Sequence, residues 1–372
     1  MLVFLEILLR ATNLQPKFAV DWVYHPLLGH SGPRSETIFM GQAKNLYSDL
    51  GFRNGWLKTP SPDPKTFSLV ILGDSMTESS YMNRETTYAG FLEKILTTKN
   101  PRIHTLASAD FGTLDETLAL HLYKEKLQPN LVVLQFLGLN DFINNTLAFA
   151  SSNKSESDFS RPYAIPQNKR DSFSPAFHLG KLPITYQSRI RSWLLEHSRI
   201  FLILYGYHIS RIWDYASVHG YPEPDCPEEL ELFLENPSEG WQEGIEVTGA
   251  ILAQLREEAS PAPVMGIYFP SNIELDDDMW NRGIVPKLQH CYPGKSFARF
   301  NGERLFLELS KKAGIQGFSL KEALWAGAPR DKINEKIFVP GGHFSELGHQ
   351  TVANEIAKYL KRSMLDWNAK QK

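Results

Sequence analysis

Short unbroken apolar runs alternate along the chain with longer stretches in which apolar residues recur every three or four positions, and this predicts strands and helices in turn. Residues 68–73, Ser-Leu-Val-Ile-Leu-Gly, read as a strand buried on both faces of a sheet. Helical spacing follows at Tyr88, Phe91, Leu92, Ile95 and Leu96. Residues 102–107 predict a second strand, and Leu114, Leu118 and Leu122 mark the helix after it. Residues 131–137 predict a third strand and residues 263–270 a fourth. A helix over 306–313 and a short fifth strand over 315–318 follow, and Val352, Ile356 and Leu360 mark a closing helix. Five strands with intervening helices predict an α/β fold, a flavodoxin-like doubly wound five-stranded parallel sheet.

Three stretches fall outside this alternation. Residues 1–10 are apolar but well short of the ~20 needed to span a bilayer, and no basic segment precedes them as in a secretory signal. Taken by themselves they read as an amphipathic helix packed on the domain. Residues 20–66 include Pro60, Pro62 and Pro64 just before the first strand and read as an extended lead-in, with structural or solvent roles for His25 and His30. Residues 142–262 are too long for a simple connection and contain helical pieces, so they read as an insertion over the active-site face. Its polar part, 151–171, suits a mobile lid or linker. Trp193, Leu194, His197, Ile200, Leu204 and Tyr207 form a stripe suited to helix packing, and 244–257 a helix leading back to the sheet. The chain thus divides into residues 1–66, an N-terminal segment and extended arm, and residues 67–372, an α/β domain carrying the insertion 142–262.

Composition narrows the function. A chain of 372 residues, 42% hydrophobic, can bury one large core plus an insertion. A net charge of -3 gives no basic footprint for nucleic acid. Only Cys226 and Cys291 are present, which implies no disulfide framework but leaves one bridge open. No spaced set of His and carboxylate ligands points to a metal, and no cofactor is implied.

The candidate chemistry sits at strand ends. Gly73-Asp74-Ser75 follows the first strand, where open α/β sheets bind ligands, so Ser75 is a nucleophile candidate; a cap on the next helix is the plainer reading of Asp74 or Ser75. Gly138-Leu139-Asn140-Asp141 follows the third strand, and Gly342-His343-Phe344-Ser345 precedes the last helix. A serine hydroxyl needs a base of pKa near 6 to 7, and His343 can supply it, whereas His349 falls on the helix and is expected to bond locally. The Asn140 amide can meet an oxyanion, a contribution of about 3 kcal/mol. Asp141 is expected to brace the turn.

These motifs, in this order over roughly residues 50–360, resemble the SGNH (GDSL-type) hydrolase superfamily. The resemblance implies Ser75 as nucleophile and His343 as base, with Asn140 and the backbone N–H groups of Ser75 and of the loop from Asp110 to Gly112 as oxyanion donors, supported by Asp74 and Gly138. Two departures stand out. Asp110 occupies the first glycine position of the family's Gly-aromatic-Gly-Thr run, and Gly112 the second. Pro340 and Gly341 fill the positions where an acid usually orients the histidine. The expected outcome is a Ser75-His343 pair whose orienting partner is a backbone carbonyl, a carboxylate from elsewhere, or nothing. Residues 1–10 resemble the tail of an N-terminal anchor of cell-envelope members, and Gly51-Phe52-Arg53 a segment of a bacterial subset. The resemblance implies a serine esterase acting on a short-chain ester, such as an O-acetylated glycan, in the bacterial envelope, with weak membrane association through residues 1–10. The alternatives are an O-acyltransferase using the same residues and a weakened or inactive binding module.

Overall fold

The computed structural model describes residues 1–12, 22–34, 36–39, 43–96, 101–147, 161–166, 177–181, 186–208 and 225–370. Strands β1 (Ser68–Gly73), β2 (Arg102–Ala107), β3 (Leu131–Phe136), β4 (Val264–Tyr268) and β5 (Gln316–Ser319) form one parallel sheet in the order β2-β1-β3-β4-β5. This is the predicted doubly wound architecture. The chain leaves β1 toward β2 and returns to the other side of β1 for β3. The strand order therefore reverses between the carboxyl ends of β1 and β3, where such sheets hold their ligands.

Alternate residues of β1 serve opposite layers. Val70 and Leu72 join Leu118 of α2 (Thr113–Leu127), Ile251 of α3 (Glu239–Ala259) and Phe306 of α4 (Asn301–Lys312). Leu69 and Ile71 join Leu92 of α1 (Tyr88–Ile95) and Val352 and Ile356 of α5 (Glu346–Lys370). Burying each such side chain contributes about 1.5–3 kcal/mol, which is the physical reason the strand is apolar on both faces.

The arm departs from the extended lead-in expected for residues 20–66. Val23–His25 pairs with Gly29–Ser31, and Glu36–Phe39 with Ala43–Leu46, as two antiparallel hairpins. Pro60, Pro62 and Pro64 lie beyond both hairpins, and Gly29 at φ 78° supplies the left-handed residue at the first turn. Leu28, Leu50 and Phe52 enter the core, and the Arg53 guanidinium donates to the carbonyls of Glu78 (2.7 Å) and Ser79 (2.8 Å), which clasps the arm to the turn after β1.

Within the insertion, Pro162–Pro166 pairs with Phe177–Lys181, and a helix over Tyr186–His197 is followed by helical residues 199–208. The expected lid, 151–171, lies largely outside the described residues, which take in only 161–166 of it. Leu195 and Leu202 are buried, but Trp193, Leu204 and Tyr207 are exposed, so the stripe does not pack as expected. The range 142–262 also takes in α3, whose Val247, Ile251 and Leu255 belong to the core; that end of the insertion is a sheet-covering helix. Cys226 and Cys291 form a disulfide, Cα–Cα 5.5 Å, tying the segment before α3 to the helix Val285–Cys291.

Residues Leu2–Ala11 form a helix with no buried residue. Its polar side chains make the attachment: Glu6 accepts from the backbone N–H groups of Arg199 (2.8 Å) and Ile200 (3.1 Å), and Arg10 Nη2 donates to the His197 carbonyl (2.6 Å). Leu2, Val3, Phe4 and Ile7 are exposed and Leu9 is half-buried. No described helix is long and apolar enough to cross a membrane.

Candidate active site

At the end of β1 the chain turns through Gly73, where an added Cβ would stand 2.2 Å from Thr77 Oγ1 and 2.4 Å from Gln135 Oε1, so only glycine fits. Asp74 caps the one-turn helix Ser75–Glu78 by accepting from the Met76 N–H at 2.8 Å. The plainer reading of this turn, a cap at Asp74, therefore holds. Gln135, the single polar residue inside β3, accepts from the Asp74 N–H (3.0 Å) and from Thr77 Oγ1 (2.9 Å), fixing the turn to the neighbouring strand.

Ser75 is half-buried and its Oγ lies 2.9 Å from Nε2 of His343. His343 sits in a reversal in which Val339 N–H donates to His343 O (2.8 Å) and Gly342 N–H to Val339 O (3.1 Å), with Gly341 at φ 94° and Gly342 at φ 79°. Two successive residues at positive φ make such a turn, a conformation that glycine adopts at least cost. Nε2 is the ring nitrogen that faces Ser75, and among the described residues no carboxylate hydrogen-bonds the imidazole. Burial lowers the His343 pKa below its usual value, opposed by the charge of Asp110 and by the Gly341 carbonyl. Tyr81 flanks the ring at 5.3 Å between centroids and donates to the Phe344 carbonyl at 2.7 Å, a support that the sequence did not suggest.

His349 is buried and bonded within the core, accepting from the Tyr88 N–H (3.2 Å), and burial pushes its pKa down to about 3, so it is neutral and takes no part at Ser75. Asp141 braces the turn after β3, accepting from Thr113 Oγ1 and from the Leu137 N–H, each at 2.7 Å. Asn140 Nδ2 donates to Asp74 Oδ2 at 2.7 Å; an amide NH₂ carries two hydrogens, so one is left for a ligand. Burial raises the Asp74 pKa to about 6 against these hydrogen bonds. Gly138 is a packing position, since a Cβ there would stand 2.8 Å from the Tyr268 hydroxyl.

The oxyanion loop differs from expectation at Gly112. Its N–H donates to Asp115 Oδ2 (3.0 Å) at the start of α2, and a Cβ would stand 2.8 Å from Asn144 Cβ, so Gly112 is a helix cap and a close-approach residue rather than an oxyanion donor. Asp110 takes the left-handed conformation, φ 64°, that a glycine adopts without strain. Its carbonyl accepts from Asn144 Nδ2 (3.1 Å) and from Arg161 Nη2. Among the described residues the N–H groups of Ser75 and Asp110 meet no protein acceptor. No group of three metal-ligating side chains occurs among them either.

No family model and no curated protein matches the sequence. The structure is similar to an acetyl xylan esterase (12% identity, 78% of this chain and 98% of that one, TM-score 0.38). It is also similar to a lipase/acylhydrolase from Enterococcus faecalis (13%, 80% and 96%, TM-score 0.39). A GDSL-like lipase from Bacteroides thetaiotaomicron gives 10%, 82% and 93%, TM-score 0.37. Similarity at this level carries no functional argument; the strand order and the contacts around Ser75 do.

Proposed function

We propose that the protein is a serine ester hydrolase of the SGNH type. The observation that carries this reading is the 2.9 Å contact between Ser75 Oγ and His343 Nε2, at the switch point of the sheet. Ser75 Oγ attacks the ester carbonyl and its proton passes to His343 Nε2. The N–H groups of Ser75 and Asp110 and the free hydrogen of Asn140 Nδ2 receive the oxyanion. His343 then returns the proton to the departing alcohol, leaving an acyl-Ser75. Water, deprotonated by His343, releases the acid and restores the serine. No carboxylate among the described residues hydrogen-bonds His343, so the pair works without the stabilisation a buried aspartate would give.

A short-chain ester such as an acetylated glycan is the substrate class we propose. An O-acyltransferase would use the same residues, with a sugar hydroxyl in place of water; product analysis with and without a sugar acceptor separates the two. The intact Ser75-His343 contact disfavours an inactive binding module. The test is p-nitrophenyl acetate turnover: wild type turns over and Ser75→Ala does not, whereas equal rates refute the reading.

The Cys226–Cys291 bridge supports an oxidising compartment, in keeping with the cell envelope. Leu2, Val3, Phe4, Ile7 and Leu8 are exposed on a helix that is apolar nearly all round, which supports membrane-surface association through residues 1–10. Sedimentation with phosphatidylglycerol vesicles tests it: Phe4→Glu together with Ile7→Glu should abolish binding, and no binding by wild type refutes it.

A further inference from the structure

The Ala109–Asp110 peptide is held from elements far away in sequence. The Ala109 carbonyl lies 2.9 Å from Nε2 of His30, on the second strand of the first arm hairpin. The Ala109 N–H donates to Glu78 Oε2 (2.7 Å), whose other oxygen accepts from the Tyr47 hydroxyl (2.8 Å). The Asp110 carbonyl is held by Asn144 and by Arg161 of the insertion. A peptide with its carbonyl fixed in this way presents its own N–H, that of Asp110, in one direction.

His30 is 3% exposed and lies between Trp22 and Phe111, each at 5.1 Å between centroids. Burial pushes its pKa down to about 4, so the ring is neutral near pH 7. A carbonyl has no proton to give, so the ring must be the donor, which fixes the Nε2–H tautomer. Hydrogen bonds in a chain polarise one another, and a donor on the Ala109 carbonyl makes the N–H of the same peptide a stronger donor.

We propose that His30 is a positioning residue of the oxyanion site, holding and polarising the Ala109–Asp110 peptide so that the Asp110 N–H meets the charge that develops on the substrate. The inference rests on the ester-hydrolase reading above. It gives the arm a catalytic purpose: the hairpin carries a support for the transition state. Glycine at the position of Asp110 would hold the left-handed conformation unaided, whereas an aspartate held there benefits from outside restraint.

The test compares wild type, His30→Leu and His30→Gln in p-nitrophenyl acetate turnover, in the rate of fluorophosphonate labelling of Ser75 and in melting temperature. A donor that acts on developing charge affects kcat and leaves KM nearly unchanged. His30→Leu should lose about tenfold or more in kcat and in labelling rate, less than the 10²–10³-fold typical of removing an oxyanion donor outright. His30→Gln, which can present an N–H to the same carbonyl, should recover most of the loss. Undiminished kcat in a folded His30→Leu, or a folded His30→Gln that falls as far as the leucine variant, overturns the inference while wild-type turnover preserves the hydrolase reading. A wild type whose Ser75 neither labels nor turns over ester overturns both. Should the variants fail to fold, ¹⁵N-histidine NMR of wild type decides: an Nε2–H ring supports the role and an Nδ1–H ring refutes it.

Discussion

Two loops border Ser75, and they meet the same backbone demand by opposite means. The loop from Ser108 to Thr113 places an aspartate in the left-handed region at Asp110, φ 64°, and is clamped from outside by His30, Glu78, Asn144 and Arg161. The loop from Phe338 to Phe344 uses Gly341 and Gly342 at φ 94° and 79° and closes on its own main chain through Val339 and His343. One is shaped by partners and the other by residue choice. The charge follows the same division. The histidine loop has Pro340 and Gly341 where an acid is expected, while the carboxylate that raises the His343 pKa through space is Asp110, in the other loop. A carboxylate there supports an imidazolium and at the same time opposes an oxyanion, so its net effect depends on which charge it lies nearer.

Substitutions can break this comparison at each loop. The largest effect is expected from His343→Ala, which removes the base and should lower kcat by on the order of 10⁴–10⁶, read from p-nitrophenyl acetate turnover. A loss under tenfold would mean another group takes the serine's proton. Gly341→Asp comes next. At φ 94° an L residue costs about 1–2 kcal/mol, so the melting temperature should fall, while the new Cβ, 3.9 Å from His343 Nδ1, brings an acid toward the ring. Activity requires neutral His343 and so rises with pH through the His343 pKa, whose wild-type value lies below the usual histidine value. An acid at 341 raises that pKa and should move the rise to higher pH; an unmoved profile would show that the strained backbone cannot present the acid to the ring. The smallest effect belongs to Asp110→Asn, which keeps a residue tolerant of the left-handed region and removes the charge. The rise should shift to lower pH, since the charge that raises the His343 pKa is gone. An unshifted profile would remove Asp110 from the electrostatics of His343.

The fold was legible because β1 and β3 are buried on both faces and announce themselves as continuous apolar runs. Ser75, Asn140 and His343 were legible because each stands where a strand ends or a helix begins. What escaped was carried by the backbone. A backbone carbonyl such as that of Ala109 has no signature in sequence, and its contact with His30 spans 79 positions. Two signals could have been read. Asp115 stands three residues after Gly112, the spacing of a helix-capping pair, and Gln135 interrupts an apolar strand. The hairpins of the arm were missed because the prolines at 60, 62 and 64 were allowed to characterise the whole segment.

The central claim, that Ser75 is a nucleophile activated by His343, is tested most directly by fluorophosphonate labelling followed by peptide mapping. The account predicts a single adduct on the peptide containing Ser75, formed faster as pH rises through the His343 pKa and absent from Ser75→Ala. An adduct on another serine, or equal labelling of folded wild type and His343→Ala, would contradict it.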